Sequence, residues 1–490
     1  MAITKSDYIK LVPILALAFY IAFIPHLNYP YPVHIDEWVH LANARAMLQA
    51  GDTTFIDPFL GQATISLSSN LETGFQLFWG IFQQISGISW VNIFRYFPGI
   101  VFIITVLSVY VLARRQGFGW EAALLTCLIP TTVGIMGPAF LVPVAMGLLF
   151  FPLSLFLVFN FKTVWSYLVL FLFTVFLLSI HATTAVGLVI VLTPYILLNL
   201  KGNAKHSLGI TLALAVPFVA LFPWIFGMIL DVGKGLFAPV LHSSDVELPR
   251  LILTYGYLPV LFCLLGTCLL AIRGGKKDYG LILGLLALLL MLVSYFTFHY
   301  GFGPLYTRGL IYMMLIMSVV AGAGLMGVKN LRLPTRLSAW LRMSFITQNV
   351  GRFLCLALIA VMLAISIPDR LNTPYYLMID REDYQAFVWI KDNLDQDYQK
   401  AILDPWKATA FAAITGKYVY ARIHMAPLDT DEKAYAFLRG GSTNTTFLRE
   451  NGISIVYTSV NDGRQNTGFS SDNPDLVEVS KNIYILKERK

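Results

Sequence analysis

Asp36 and Glu37 stand side by side shortly after the first apolar run of the chain, with His34 and His40 on either side. Further along, Glu72, Arg95, His181, His299, Tyr306 and Arg308 each fall at or between apolar segments. Charged groups beside a bilayer are costly, and their presence calls for a reason. The set contains a carboxylate able to accept a proton, guanidinium groups able to hold two oxygens of one phosphate, and several imidazoles. It suits chemistry on an anionic, membrane-bound substrate. Each residue also has a plainer role. Asp36 and Glu37 can cap the helix that follows, and Arg308 can anchor its helix at the interface. His181 and His299 can bond turn carbonyls, and Arg95 can pair with the loop acids.

The elements that must position these residues are membrane helices. Of the 490 residues, 57% are hydrophobic and only 13% charged. Mean hydropathy is +0.67. A soluble domain carries about 25% charge, so the bilayer is the natural solvent here. Runs of spanning length occur at 9–26, 91–113, 120–137, 138–160, 163–180, 183–200, 207–231, 252–272, 279–298, 308–328 and 351–368. They predict about 11 transmembrane helices. The first run lacks a small-residue cleavage site and reads as an anchor. The four cysteines all lie in apolar stretches, so neither a disulfide framework nor a zinc finger follows.

Charge sets the orientation. Lys5, Lys10, Arg114, Arg115, Lys162, Lys201, Lys205, Arg273, Lys276 and Lys277 fall in alternate connections, as do the basic residues from Lys329 to Arg352. The opposite connections hold only Arg45, Lys234 and Arg250 outside helix ends. Basic loops stay in the cytoplasm. The N-terminus is therefore expected inside, and an odd number of spans puts the C-terminal residues outside. The chemistry-bearing residues then share the outer side. The net charge of +7 belongs to membrane edges and implies no nucleic acid.

Residues 1–368 read as the membrane domain, with a long first outer loop over 27–90 that holds two amphipathic helices near 36–50 and 72–86. On the second, Phe75, Phe78, Trp79 and Phe82 share a face suited to the membrane interface. Residues 369–490 change period. Short β-rich runs at 401–403, 419–421, 453–458, 476–479 and 483–486 alternate with helical stretches near 382–393, 406–414, 431–439 and 443–451, which predicts a soluble α/β domain. The fold class expected is a polytopic α-helical membrane protein with a C-terminal α/β domain outside. No internal repeat is visible. One tempting pattern, Asp36-Glu37-Trp38-Val39-His40, lacks the first histidine of a zinc-protease helix.

Asp36-Glu37, Ala44-Arg45 and Met47-Leu48-x-x-Gly51-Asp52 together resemble the opening of the GT-C membrane glycosyltransferases, in particular the protein O-mannosyltransferase and aminoarabinose-transferase branch. Glu72, the aromatic segment Phe75–Trp79, Gly87 and Arg95 extend the resemblance. The C-terminal part is similar to archaeal GT-C proteins at Asp404-Pro405-Trp406, Thr415-Gly416-Lys417 and Phe447–Ile453. The chain departs from the branch at Glu72-Thr73-Gly74, where Glu-Lys-Pro is usual. It also lacks the Trp-Trp-Asp-Tyr-Gly-like motif of the oligosaccharyltransferases, which argues against transfer of whole glycans to asparagine.

The resemblance implies a donor sugar on a polyprenyl phosphate, used on the outer face, with Asp36 as catalytic acid/base and Glu37 as its neighbour. The reaction expected is a single displacement at the anomeric carbon, with inversion. Arg308, and next Arg95, would hold the leaving phosphate, with His34, His40, Glu72, His181, His299 and Tyr306 in support. A divalent cation, Mg or Mn, could sit on Asp36, Glu37 or His181, and the sequence requires none. The partners are the lipid-linked sugar, membrane lipid and an acceptor glycan, lipid or protein. The rival readings are a transporter or flippase of lipid-linked sugars, which would more often show repeats and broken helices, and a non-catalytic relative whose outer domain binds surface glycans or proteins.

Overall fold

The computed structural model describes residues 5–67, 69–131, 137–237, 248–298, 303–332, 344–373, 375–395, 397–423, 428–439, 444–459 and 473–487. In chain order its helices are α1 (Lys5–Phe23), α2 (Ile35–Ala50), α3 (Thr73–Ser86), α4 (Trp90–Arg114), α5 (Gly119–Leu128) and α6 (Pro143–Asn160). Next come α7 (Val164–Ile180), α8 (Ala182–Asn199), α9 (Ala204–Phe237), α10 (Leu248–Tyr255), α11 (Tyr257–Arg273) and α12 (Lys276–Phe298). The last are α13 (Gly303–Lys329), α14 (Ser344–Leu371), α15 (Arg381–Asn393), α16 (Ala408–Thr415), α17 (Asp429–Arg439) and α18 (Thr445–Glu450). By contact the chain forms two compact units, Met1–Leu27 with Tyr96–Pro374 and Asn28–Arg95 with Tyr375–Lys490. The segment after the first span therefore shares a unit with the C-terminal residues.

The first unit is a helix bundle. Among the described residues, eight helices are long and apolar enough to cross a membrane, and α5, α7 and α11 are shorter apolar helices. The chain is thus a multi-pass membrane protein. α13 is the central helix, with 89% of its apolar window buried, against 22% for α14. Small residues let its neighbour come close. A Cβ at Gly266 on α11 would run into the Val320 carbonyl, and one at Gly324 on α13 into the Phe262 carbonyl. Such close approach replaces the hydrophobic drive that lipid removes between membrane helices. Polar stitches add to it: Thr126 bonds Ser318 at 2.9 Å, and Tyr255 donates to the Leu310 carbonyl at 2.9 Å. The run 120–137 does not form one helix. α5 ends at Leu128, and Ile129 turns extended before Pro130, as residues preceding proline tend to do.

The second unit holds two sheets. β1 (Phe55–Ile56) and β2 (Thr64–Ile65) form a small antiparallel pair. The larger sheet has β3 (Lys400–Ile402), β4 (Tyr418–Val419), β5 (Ile455–Tyr457), β6 (Leu476–Ser480) and β7 (Ile483–Leu486), in the order β4-β3-β5-β7-β6. β3 pairs parallel with β4 and β5, and the β5–β7 and β6–β7 pairs are antiparallel. All five strands and the four helices of the C-terminal part lie where the period change puts them, within a few residues. Ile402, Leu438, Leu448 and Val456 are among the buried residues of the core.

In the same unit, Asp383 and Lys407 form a fully buried ion pair at 2.7 Å. The Tyr457 hydroxyl also donates to Asp383 at 2.7 Å, and Lys407 donates to Ser459 at 3.0 Å. The carboxylate and ammonium are thus both multiply bonded, which buried charges need.

The segment 28–95 is built onto the same unit. The Val419 N–H donates to the Phe59 carbonyl at 2.7 Å, and Arg422 lies over the Phe59 ring at 4.6 Å. Arg45 on α2 donates to the Ala413 carbonyl at the end of α16. The face expected on α3 is divided. Phe75 and Trp79 are buried, while Leu77, Phe78, Ile81 and Ile85 are exposed. The apolar edge left outward is therefore 77–78–81–85, because Phe75 packs edge-on against His40 of α2 at 5.0 Å.

Candidate active site

α2 begins with a capping box that the sequence hides. His34, not Asp36, is the N-cap: its Nδ1 accepts the Asp36 N–H at 3.1 Å. Glu37 returns the contact, its Oε2 accepting from the Val33 N–H at 2.7 Å and the His34 N–H at 3.0 Å. The usual box has serine or threonine at the cap and glutamate or glutamine three residues on; here histidine takes the first place. Gly51 ends the helix at φ +66°, the left-handed position that glycine adopts without strain.

The two adjacent carboxylates are therefore unlike. Glu37 is 0% exposed and already accepts two backbone N–H groups. Asp36 lies in the first turn with its side chain 38% exposed. His34 Nδ1 stands 3.8 Å from Asp36 Oδ2, but that nitrogen already accepts the Asp36 N–H. It has no proton to share with the carboxylate. Asp36 is thus the carboxylate of the pair open to a ligand, held rigidly by the cap behind it.

Aromatic rings flank this helix start. Tyr376 packs edge-on against His34 at 4.8 Å and is itself 58% exposed. Tyr31 stacks on Tyr384 at 4.7 Å, and Tyr29 accepts the Ile379 N–H at 3.2 Å. Burial, followed by nearby Asp383, Tyr31 and Glu37, pushes the Tyr29 hydroxyl well above its ordinary value, so it stays neutral. Burial likewise lowers Arg45 from its ordinary value. Sequence reasoning missed the tyrosines, although the Tyr375-Tyr376 pair after the last span was the available signal.

One turn along α2, buried His40 stands 3.9 Å from Glu72, the residue capping α3. Asp36, Glu37, His34, His40 and Glu72 are thus gathered on α2 and its neighbour, and Arg95 lies half-buried on α4 in the same unit. The other expected residues belong to the helix bundle. His181 sits at the α7–α8 junction, its Nδ1 2.7 Å from Thr184 Oγ1, which in turn is 3.0 Å from the Tyr312 hydroxyl. Arg308 is one turn before Tyr312 on α13. Tyr306 stacks on Tyr295 at 4.1 Å. His299 lies outside the described residues. Among the described residues, no three or more His, Cys, Asp or Glu gather where they could hold one metal ion.

Comparison with protein-family models and with curated protein sequences gives no match. Comparison with solved structures does. The archaeal oligosaccharyltransferase AglB from Archaeoglobus fulgidus, in complex with an inhibitory peptide and a dolichol-phosphate, matches with TM-score 0.61 and 12% identity, over 92% of this chain and 70% of that one. The arabinofuranosyltransferase AftD from Mycobacteria matches with TM-score 0.63 and 14% identity, over 98% of this chain and 38% of that one. ArnT from Cupriavidus metallidurans, bound to undecaprenyl phosphate, matches with TM-score 0.52 and 14% identity, over 94% and 97%. At these identities the likeness is one of fold: the chain has the fold of the GT-C membrane glycosyltransferases.

Proposed function

We propose that this chain is a glycosyltransferase that moves a sugar from a polyprenyl-phosphate donor to an acceptor hydroxyl on the outer face of the membrane. The observation that carries the reading is the division of labour at the start of α2. Glu37 is spent on the backbone, while Asp36 beside it has a partly exposed side chain at the start of the capped helix. A hydroxyl is a poor nucleophile until a base takes its proton, and a positioned carboxylate can do this. Of the three structures of this fold described above, one contains dolichol-phosphate and another undecaprenyl phosphate, which supports a polyprenyl-phosphate donor here.

In this reading, the acceptor oxygen attacks the anomeric carbon as Asp36 removes its proton. The bond from that carbon to the phosphate oxygen breaks, the polyprenyl phosphate leaves with the electron pair, and the configuration inverts. Charge grows on the leaving phosphate, and a guanidinium can meet two of its oxygens at once. That role is proposed for Arg308, with Arg95 second. His34 and Glu37 position Asp36, and Tyr376, packed against His34, offers an exposed ring on which a sugar can stack.

The test is mass spectrometry of surface glycans from cells with and without the protein, joined to a lipid-extract assay in which the purified protein consumes a polyprenyl-phosphate-linked sugar. The reading expects a glycan lost from the cells and free polyprenyl phosphate formed in the assay. Unchanged glycans together with an untouched donor pool would overturn it.

A further inference from the structure

Four connections that the charge pattern assigns to one side of the membrane meet in the helix bundle. Residues from the end of α4, from between α6 and α7, from between α8 and α9 and from between α11 and α12 line one pocket of about 460 Å³. Arg115, Lys162, Arg273, Lys276 and Lys277 line it, with Asp278 as the acid among the lining residues.

The pocket is organised, which a scatter of topogenic lysines would not be. Asp278 is buried and takes both forks of Arg273, which also reaches the Gln116 side chain at 2.6 Å. Both oxygens of the acid are hydrogen-bonded by Arg273, and the four other basic residues outnumber it. Lys277 is steered by the Asn160 side chain at 3.0 Å, with Arg115, Asp278 and Lys162 close enough to act on its charge. Gly275, Lys276 and Lys277 also place the first turn of α12 in the wall, and a helix start adds partial positive charge.

We infer that this pocket binds a phosphate-bearing anion, and that its source is the headgroup of an anionic membrane lipid. Like charges gathered around a concave space repel each other until an anion fills it. Phosphate oxygens meet ammonium groups well and take hydrogen bonds from Asn and Gln amides. The choice of a lipid over free phosphate rests on exposed apolar residues that neighbour lining residues in the chain. Trp165 is 75% exposed, Ile272 83% and Leu200 49%, each within three residues of a lining residue. A headgroup in the pocket leaves its acyl chains against these apolar side chains. This site is separate from Asp36 and does not depend on the proposed transferase activity.

Native mass spectrometry of the purified full chain with phosphatidylglycerol and phosphatidylcholine tests it. The wild type should retain phosphatidylglycerol in preference. Each basic residue near a lipid surface is worth about 1 kcal/mol. Lys162→Gln with Lys276→Gln should therefore weaken retention by roughly 30-fold, and Lys162→Arg with Lys276→Arg should keep most of it. Arg332→Gln with Arg352→Gln removes the same charge from exposed residues of the same side that do not line the pocket, and should weaken retention clearly less than the pocket pair. Equal losses in both Gln pairs, or no preference over phosphatidylcholine, would overturn the inference. Thermal stabilisation by inorganic phosphate that needs Lys162 and Lys276, without phosphatidylglycerol retention, would overturn the lipid source and leave a free-phosphate site.

Discussion

Exchanging the charge of either carboxylate at the start of α2 should separate chemistry from architecture. Asp36→Asn removes the basic oxygen but leaves the cap, because the cap belongs to His34 and Glu37. The side chain is 38% exposed, so the structural cost is limited to the lost charge–dipole attraction, about 0.3–1 kcal/mol. Turnover should fall roughly 100-fold or more, equivalent to about 2.7 kcal/mol of barrier. Glu37→Gln reverses the pattern. Its oxygen is 0% exposed and accepts two backbone N–H groups. Hydrogen bonds to a charged group contribute about 1.5–3 kcal/mol and neutral ones about 0.5–1.5. Replacing both charged bonds by neutral ones should therefore cost about 2 kcal/mol of stability. In a cap this rigid, turnover measured well below the melting temperature should fall less than in Asp36→Asn. The assay is conversion of a polyprenyl-phosphate-linked sugar to free polyprenyl phosphate, run beside a thermal melt of the same preparation. Near-normal turnover in Asp36→Asn refutes the assignment. A Glu37→Gln protein that melts normally but is inactive would transfer the role of base to Glu37.

Three further outcomes follow from particular residues. Arg308→Lys keeps the charge but loses the two-pronged geometry, so donor turnover should drop at least tenfold while the protein still inserts; near-normal turnover in Arg308→Ala would make it an anchor only. Asp392 on α15 is exposed and all native cysteines lie in the helix bundle, so Asp392→Cys in a Cys268→Ser background should react with an impermeant thiol reagent on intact cells; reaction only after lysis would invert the topology. Burial, and then the Asp383 carboxylate, push the Tyr457 hydroxyl well above its ordinary 10.0, so its stabilising contribution is full below pH 10 and is lost as pH rises above it. Alkaline melts should show stability falling by up to about 1.4 kcal/mol per pH unit from this group, and Tyr457→Phe should flatten the slope by that amount while lowering neutral-pH stability by about 1.5–3 kcal/mol; an unchanged slope would refute the linkage.

The sequence was most legible where one period or one charge count decides. Apolar runs located the bundle, and the switch to short β-rich runs located all five strands of the larger sheet, because even strands of two to five residues are rich in β-branched and aromatic side chains. It was less legible where a rule has a rare exception or a competing residue. His34 in place of serine or threonine concealed the capping box, so the residues alone offered both Asp36 and Glu37 as caps, and only the family resemblance set Asp36 apart before the Glu37 contacts did. Pro130 ended the run 120–137 although its hydropathy is continuous.

What no local pattern carries is contact between distant segments. Phe59 with Val419 and Arg45 with Ala413 join residues some 360 positions apart, and nothing in either stretch announces the other. The same limit explains why the basic residues read only as orientation signals. A charge count treats Arg115, Lys162, Arg273 and Lys277 as independent votes for one side. Folding turns them into neighbours around one space, where their repulsion must be met by Asp278, by amides and by an anion. Orientation alone would be served as well by lysines scattered over that face, with no buried aspartate and no steering asparagine. The arrangement therefore contains more order than topology requires, and that surplus is the physical ground for expecting a ligand there.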